Sequence, residues 1–470
     1  MLSAYSTRSV RGRGAARMAV ATFVSGLLAA GVAMVGAGTA AADDTAPDRG
    51  GATATIGDLK TYGDAVIHDT DGDLRVPAGL FEMSVEGGGT LQTYCVDLYN
   101  PTQKGAKYHE TDWSGTALGA NKGAGKIRWI LQNSYPQVND LAALAAAAGT
   151  GAGLTEQDAA AGTQVAIWRY SDDVDVDAVD PQAEKLADYL ERSARAAAEP
   201  EASLTVDPPA VSGRPGERIG PVTVHTNAAG ATVIPPADAA ASGVRIVDAD
   251  GKEVTSAVDG SRIWFDVPED AAAGSVELTV QASTTVPVGR AFASESRSQT
   301  LILAGSSEST VSATADATWA ERGAIPALSA ERNCSAGGLD VTVANEGDQD
   351  FTFDLLGTEY SVAATESRTV TVPLQEDQAY DFTIKGPDGL EKRFNGVLDC
   401  RTRSSETGTQ AQTYSDPSPA TVVTPETDVN LAETGGSAVT PLIAGTAIGL
   451  VLIGGAALVL VRKKETSAQD

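Results

Sequence analysis

The chain reads as a multidomain, mainly β protein. An N-terminal α+β domain is followed by two immunoglobulin-like β-sandwiches, a disordered linker and a C-terminal transmembrane helix. Three observations predict this. Apolar patterns with helical spacing stop near Pro200, and from Ser203 to Cys400 short Val/Ile/Thr-rich runs alternate with Gly/Pro turns. Aromatic residues make up only 5% of the chain, whereas Gly (49) and Pro (21) are plentiful, which suits turn-rich β modules better than one large enzyme core. A charge-free apolar run, 441–461, lies close to the C-terminal end.

The ends are addresses. Residues 1–42 carry a basic start (Arg8, Arg11, Arg13, Arg17), an apolar stretch Met18–Val35 and a small-residue site Ala40-Ala41-Ala42, the pattern of a secretory signal peptide. Residues 441–461 would span roughly 30 Å of hydrocarbon at helical rise. The tail 462–470 begins Arg462-Lys463-Lys464, which keeps it cytoplasmic by the positive-inside tendency. The chain is therefore expected to be exported and tethered to the cell surface. Its 470 residues allow roughly two to four domains. The net charge of −28 argues against nucleic acid, or an anionic membrane surface, as a partner.

The first domain is assigned to residues 43–200. Leu80–Val85 and Leu91–Tyr99 form a strand pair through Glu86–Thr90, and alternation sets Thr93, Cys95 and Asp97 opposite Tyr94, Val96 and Leu98. Lys126–Gln132 predicts a short amphipathic helix, and Gln182–Ala198 another. Between them Thr155-Glu156-Gln157-Asp158 opens a helix with a capping-box-like start. Its apolar stripe of Ala160, Ala161, Ile167 and Trp168 includes Gln164. A buried carboxamide costs roughly 2–7 kcal/mol unless its polar atoms are satisfied. Gln164 is thus either bonded into a core or chemically altered.

Two acidic stretches invite a metal reading, and both are better read as solvated loops. Asp69–Asp73 fails the calcium-loop pattern, because Gly72 stands at the fourth place and Leu80 where the bidentate acid belongs. Ser171–Asp180 carries five aspartates without ligand spacing. No metal and no cofactor is called for.

From residue 201 the strands Val222–Thr226, Val244–Val247, Ile263–Val267 and Val276–Val280 define a β-sandwich domain ending at 325, with Thr300–Leu303 closing the set. A smaller sandwich, 326–402, is bracketed by Cys334 and Cys400, which pair naturally in an oxidising location. Closing a loop of that length stabilises by roughly 4 kcal/mol in the chain-entropy model. Cys95 is left over, and an odd cysteine in a secreted protein calls for a reason. Residues 403–430, rich in Ser, Thr and Pro, form a linker with little to bury.

The pentapeptide Leu431-Ala432-Glu433-Thr434-Gly435, with the apolar span and basic tail behind it, resembles a cell-wall sorting signal of Gram-positive surface proteins. The Leu-Ala-x-Thr-Gly form is similar to the class E sortase variant. That resemblance implies cleavage after Thr434 and transfer to peptidoglycan. Tyr94-Cys95-Val96-Asp97 and Thr163-Gln164-Val165-Ala166-Ile167-Trp168 together resemble the thioester domains of such proteins, over about residues 50–200. The resemblance implies an internal thioester between Cys95 and Gln164, supported by Tyr94, Asp97, Thr163 and Trp168. It also implies an adhesin-like role in which a lysine amine of a surface or host protein is captured covalently, without turnover as an enzyme.

The chemistry is self-consistent. A thiolate is a good nucleophile and leaving group. Attack on the Gln164 carboxamide would expel ammonia and leave an acyl group for transfer. Two other readings stand beside this one. In a cysteine hydrolase or transpeptidase, Cys95 would be served by His68 or His109 as base. In a passive wall-anchored stalk, Cys95 is a buried thiol and Gln164 a satisfied core amide.

Overall fold

The computed structural model describes residues 50–401 except Asp71 and Asp238. The expected signal 1–42, linker 403–430, Leu431–Gly435 motif, span 441–461 and tail 462–470 lie outside the described residues. No helix among the described residues is long and apolar enough to cross a membrane.

The fold is mainly β. β1 (Thr53–Asp69) pairs with β2 (Gly72–Val85) as a hairpin, with Asp69 opposite Gly72 and His68 opposite Asp73, so these acidic residues are the paired ends of two strands. β2 pairs with β3 (Thr90–Cys95) from Ser84–Thr90 to Phe81–Thr93. β4 (Lys107–Thr111) pairs with the start of β1, and the short β5 (Val176–Ala178) pairs with its end. All of these pairings are antiparallel.

The sheet is completed from far along the chain. Strand Leu301–Ser306 pairs with β3, placing Leu301 opposite Cys95. Strand Ala291–Ser294 joins Leu301–Ser306 to β4. The pairings therefore close on themselves: β1, β2, β3, Leu301–Ser306, Ala291–Ser294, β4 and back to β1. This departs from the expectation that Thr300–Leu303 closes the second domain. Leu301, Ile302, Leu303 and Ala304 are all buried, the signature of a strand covered on both faces. Such a run says nothing about which sheet it joins.

Strands Gly274–Thr285 and Glu308–Trp319 pair along their whole length, with Thr285 opposite Glu308. Residues 286–307 are thus an excursion from the mouth of that hairpin into the first domain. A buried ion pair fixes it there. Arg290 Nε donates to Glu110 at 2.9 Å, and Glu110 also accepts from the backbone of Ala52 and from the backbone and hydroxyl of Ser203. Both side chains are essentially inaccessible, so the many bonds offset the desolvation of the charges.

That hairpin and the other strands of residues 204–319 outside the excursion form a four-stranded and a five-stranded sheet. Their alternation follows the sequence: Val276, Leu278, Val280 and Ala282 are buried on one strand, Ile263 and Phe265 on another. Beyond them, Pro326–Asn333, Gly338–Asn345 and Glu366–Pro373 make a three-stranded sheet that shares a separate core with two hairpins, around Leu339, Val341, Val343, Phe353, Ile384 and Phe394. A disulfide joins Cys334 to Cys400 across this unit.

Four helices pack on the first sheet's side of the chain: α1 (Ala124–Gln132), α2 (Leu141–Ala148), α3 (Glu156–Ser171) and α4 (Pro181–Ser193). The capping box of α3 is formed: the Thr155 hydroxyl accepts from Asp158 N–H, and the Asp158 carboxylate accepts from Thr155 N–H. Small residues let α3 approach its neighbours closely. A methyl group at Gly162 would lie 2.4 Å from the Ala183 carbonyl of α4, so that crossing requires glycine.

Candidate functional site

Alternation carries Tyr94 to one face of β3, and the strand ends at Cys95 rather than running on to Tyr99. Asp97 therefore lies in the turn beyond the strand and not on a shared strand face with Cys95. The reason is a second anchor: the backbone N–H of Leu98 donates to Asp172 at 3.0 Å, at the C-terminal end of α3, and draws the chain into a turn.

Cys95 and Gln164 meet through backbone and carboxamide. The Cys95 N–H donates to Gln164 Oε1 at 3.0 Å, and Gln164 Nε2 donates to the Cys95 carbonyl at 2.9 Å. Topology explains the pairing. β2 accompanies β3 only as far as Thr93, while Val96 N–H turns the other way, to the Thr300 carbonyl. The outer edge of Cys95 lacks a strand neighbour, and the carboxamide supplies the missing peptide group. Both residues are wholly inaccessible, and Cys95 is outside the disulfide.

The supporting residues fall around this pair. Tyr94 donates to the Tyr135 carbonyl at 2.8 Å, and the Thr163 hydroxyl donates to Ala159 O at 2.7 Å. Burial pushes the Tyr94 phenol well above its usual range, only partly offset by Thr163, so it stays neutral. Trp168 is fully buried one helical turn after Gln164, and its indole nitrogen has no hydrogen-bond partner among the described residues. The Thr93 hydroxyl is likewise buried without a partner.

Several neighbours were not legible as site residues. Asp172 belongs to the acidic run read as a solvated loop, yet it is shielded. Burial lifts its carboxyl to about 7, against the opposing bonds from Ser171 and Leu98. Other members of the run behave as ordinary surface and capping groups. Asp180 caps α4, and Asp177 pairs with Arg169. Asp399, from the small disulfide-linked unit, accepts from the Thr300 hydroxyl at 3.2 Å. Burial first, then the charges of Asp97, Asp377 and Glu376, hold Asp399 well above the carboxylate range. Glu376, Asp377 and Asp399 stand close enough together to contact one ion, but Glu376 already accepts from the backbone of Cys400 and Arg401.

The two histidines proposed as bases are occupied elsewhere. His68 lies between Asp73 and Asp177 on an exposed face, and His109 bonds Thr53 and Glu295. Both bonds of His68 raise its pKa, the Asp73 bond most.

No curated protein matches the chain. The Bacillus anthracis TIE protein is similar in structure, with 16% identity and a TM-score of 0.26, over 73% of this chain and 63% of that one. The chain thus spans less than two thirds of that protein. The thioester domain of the Enterococcus faecium TIE86 protein is 18% identical, with a TM-score of 0.27, over 60% of this chain and 100% of that one. A family model described as bacterial phospholipase C, C-terminal domain, matches residues 326–397. The thioester domain family model matches residues 92–196, and it is to this family that the segment holding both Cys95 and Gln164 is similar.

Proposed function

We propose that this chain is a surface-anchored covalent binding protein that captures a primary amine through an internal thioester between Cys95 and Gln164. The observation that carries the reading is the paired hydrogen bond between the Cys95 backbone and the Gln164 carboxamide. It holds the acyl carbon beside the one cysteine outside the disulfide, in a site closed to water. Positioning of that kind removes much of the entropic barrier to attack. The match of residues 92–196 to the thioester domain family supports the same reading.

In the first step Cys95 Sγ bonds the Gln164 side-chain carbonyl carbon, the carbon–Nε2 bond breaks, and the thiol proton leaves with nitrogen as ammonia. The Cys95 N–H already donates to Oε1 and stabilises the charge that develops on that oxygen. In the second step an amine nitrogen, such as a lysine Nζ, bonds the same carbon. The carbon–sulfur bond breaks and the amine proton passes to sulfur. The product is a stable amide and a free thiol, so the event occurs once.

The downstream β units, immunoglobulin-like in size, serve as a stalk. The Leu431–Gly435 motif with the apolar run 441–461 supports sortase processing, of class E type, and attachment of Thr434 to peptidoglycan. The test is intact-mass spectrometry of the secreted fragment 43–434. It should be lighter than its disulfide-bonded sequence mass by one ammonia, and methylamine should add at Gln164. A fragment at full mass that ignores methylamine leaves only a tethered stalk.

A further inference from the structure

The Trp168 indole has a use beyond packing. Its ring is completely buried, and its Nε1–H finds no acceptor among the described residues. The fold does provide acceptors for its other buried indoles: Trp113 Nε1 donates to Gly289 O at 2.9 Å and Trp319 Nε1 to Ala272 O at 2.7 Å. A donor left without a partner in a protein interior is costly and rare. This one is in a special place. Gln164, Trp168 and Asp172 follow one another at four-residue spacing along α3. The first is bonded to Cys95 and the last to Leu98, so Trp168 stands on the same stripe of α3, midway between the residues that hold those two anchors.

We propose that Trp168 Nε1–H is a second donor for the Gln164 acyl oxygen, idle in the resting amide and engaged once the acyl carbon has been drawn over to sulfur, in the thioester and in the tetrahedral states on either side of it. Among the described residues, the donor to this oxygen in the resting state is the Cys95 N–H. As the carbon is drawn toward sulfur, or attacked by the amine, the oxygen takes up negative charge and moves with its carbon. A pre-placed N–H in a water-free site then stabilises it without reorganisation. The proton on Nε1 is not transferred; it only donates a hydrogen bond. This inference rests on the thioester reading and makes Trp168 a contributor to rate, where that reading needs it only as packing.

Two variants separate lost N–H from lost volume: Trp168→Phe, and replacement of Trp168 by benzothienylalanine, which keeps the bicyclic ring and has sulfur in place of N–H. The rate of methylamine addition to the 43–434 fragment is followed by intact mass. Both variants should fold and capture methylamine at least about tenfold more slowly than the parent, or retain the ammonia altogether. Capture by the benzothienyl variant at the parental rate would overturn the proposal. Should neither variant fold, the indole proton of Trp168 in the ¹⁵N-tryptophan-labelled parent decides. It should move downfield in the thioester relative to the Cys95→Ala protein, and an unchanged position overturns the idea. A parent that never loses ammonia defeats the thioester reading itself, a result distinguishable from parental rates in the variants.

Discussion

The Tyr94 hydroxyl donates to the Tyr135 carbonyl at 2.8 Å, so the residue immediately before the cysteine is tied to the segment between α1 and α2. Tyr94→Phe removes this bond. It should lower stability by about 1–2 kcal/mol in urea titration, and reduce the fraction of protein that has lost ammonia.

Cys95→Ala and Gln164→Leu should both abolish methylamine capture, yet differ in stability. The alanine variant keeps both bonds between the residue 95 backbone and the carboxamide. The leucine variant leaves a buried N–H and a buried C=O unsatisfied, at about 1–3 kcal/mol each. Urea midpoints should therefore rank Gln164→Leu well below Cys95→Ala. Equal midpoints would mean that the paired bonds contribute nothing to the fold.

Because strands Ala291–Ser294 and Leu301–Ser306 complete the closed sheet, a fragment of residues 43–200 should not fold cooperatively, since β3 and β4 each lose a partner. Residues 43–325 should unfold in one sharp transition. Circular dichroism during thermal melting distinguishes the two.

Glu110→Ala leaves the Arg290 guanidinium buried without its carboxylate and frees the backbone of Ala52 and Ser203. A loss of about 3–5 kcal/mol is expected. Amide exchange should accelerate most at residues 291–304, the excursion that Arg290 anchors.

Asp172 sets a pH dependence. Its folded pKa of about 7 lies above the roughly 3.9 of an unfolded chain, so the folded state holds the proton that the unfolded state gives up. Stability from this group is greatest at acidic pH and is lost as pH rises through about 7. Asp172→Asn keeps an acceptor for Leu98 and removes the titration. The wild-type melting temperature should therefore fall relative to the variant between pH 5 and 8, and a constant difference would place the titration elsewhere.

The sequence made parts of this arrangement readable and hid others for physical reasons. The start of α3 was legible, because a Thr-x-x-Asp box has one geometry wherever it occurs. Gln164 on an apolar stripe announced a buried carboxamide, since the penalty for burying it is independent of fold. The identity of its partner as the Cys95 backbone was not legible: it depends on β2 leaving β3 at Thr93. Leu301–Ala304 betrayed burial but not its sheet, because side-chain alternation carries no information about strand neighbours. Asp172 was lost among exposed aspartates whose composition is the same and whose environment is not.

The disulfide has a mechanical corollary. Cys334 follows the entrance of its unit at Pro326 by a few residues, and Cys400 stands at the other end of the unit, just after strand Glu391–Val397. Tension applied between the residues before Pro326 and those after Cys400 would cross from one sulfur to the other. The 66 residues of separation between them would stay slack-free and folded, sparing roughly 200 Å of extension that a reduced chain would yield.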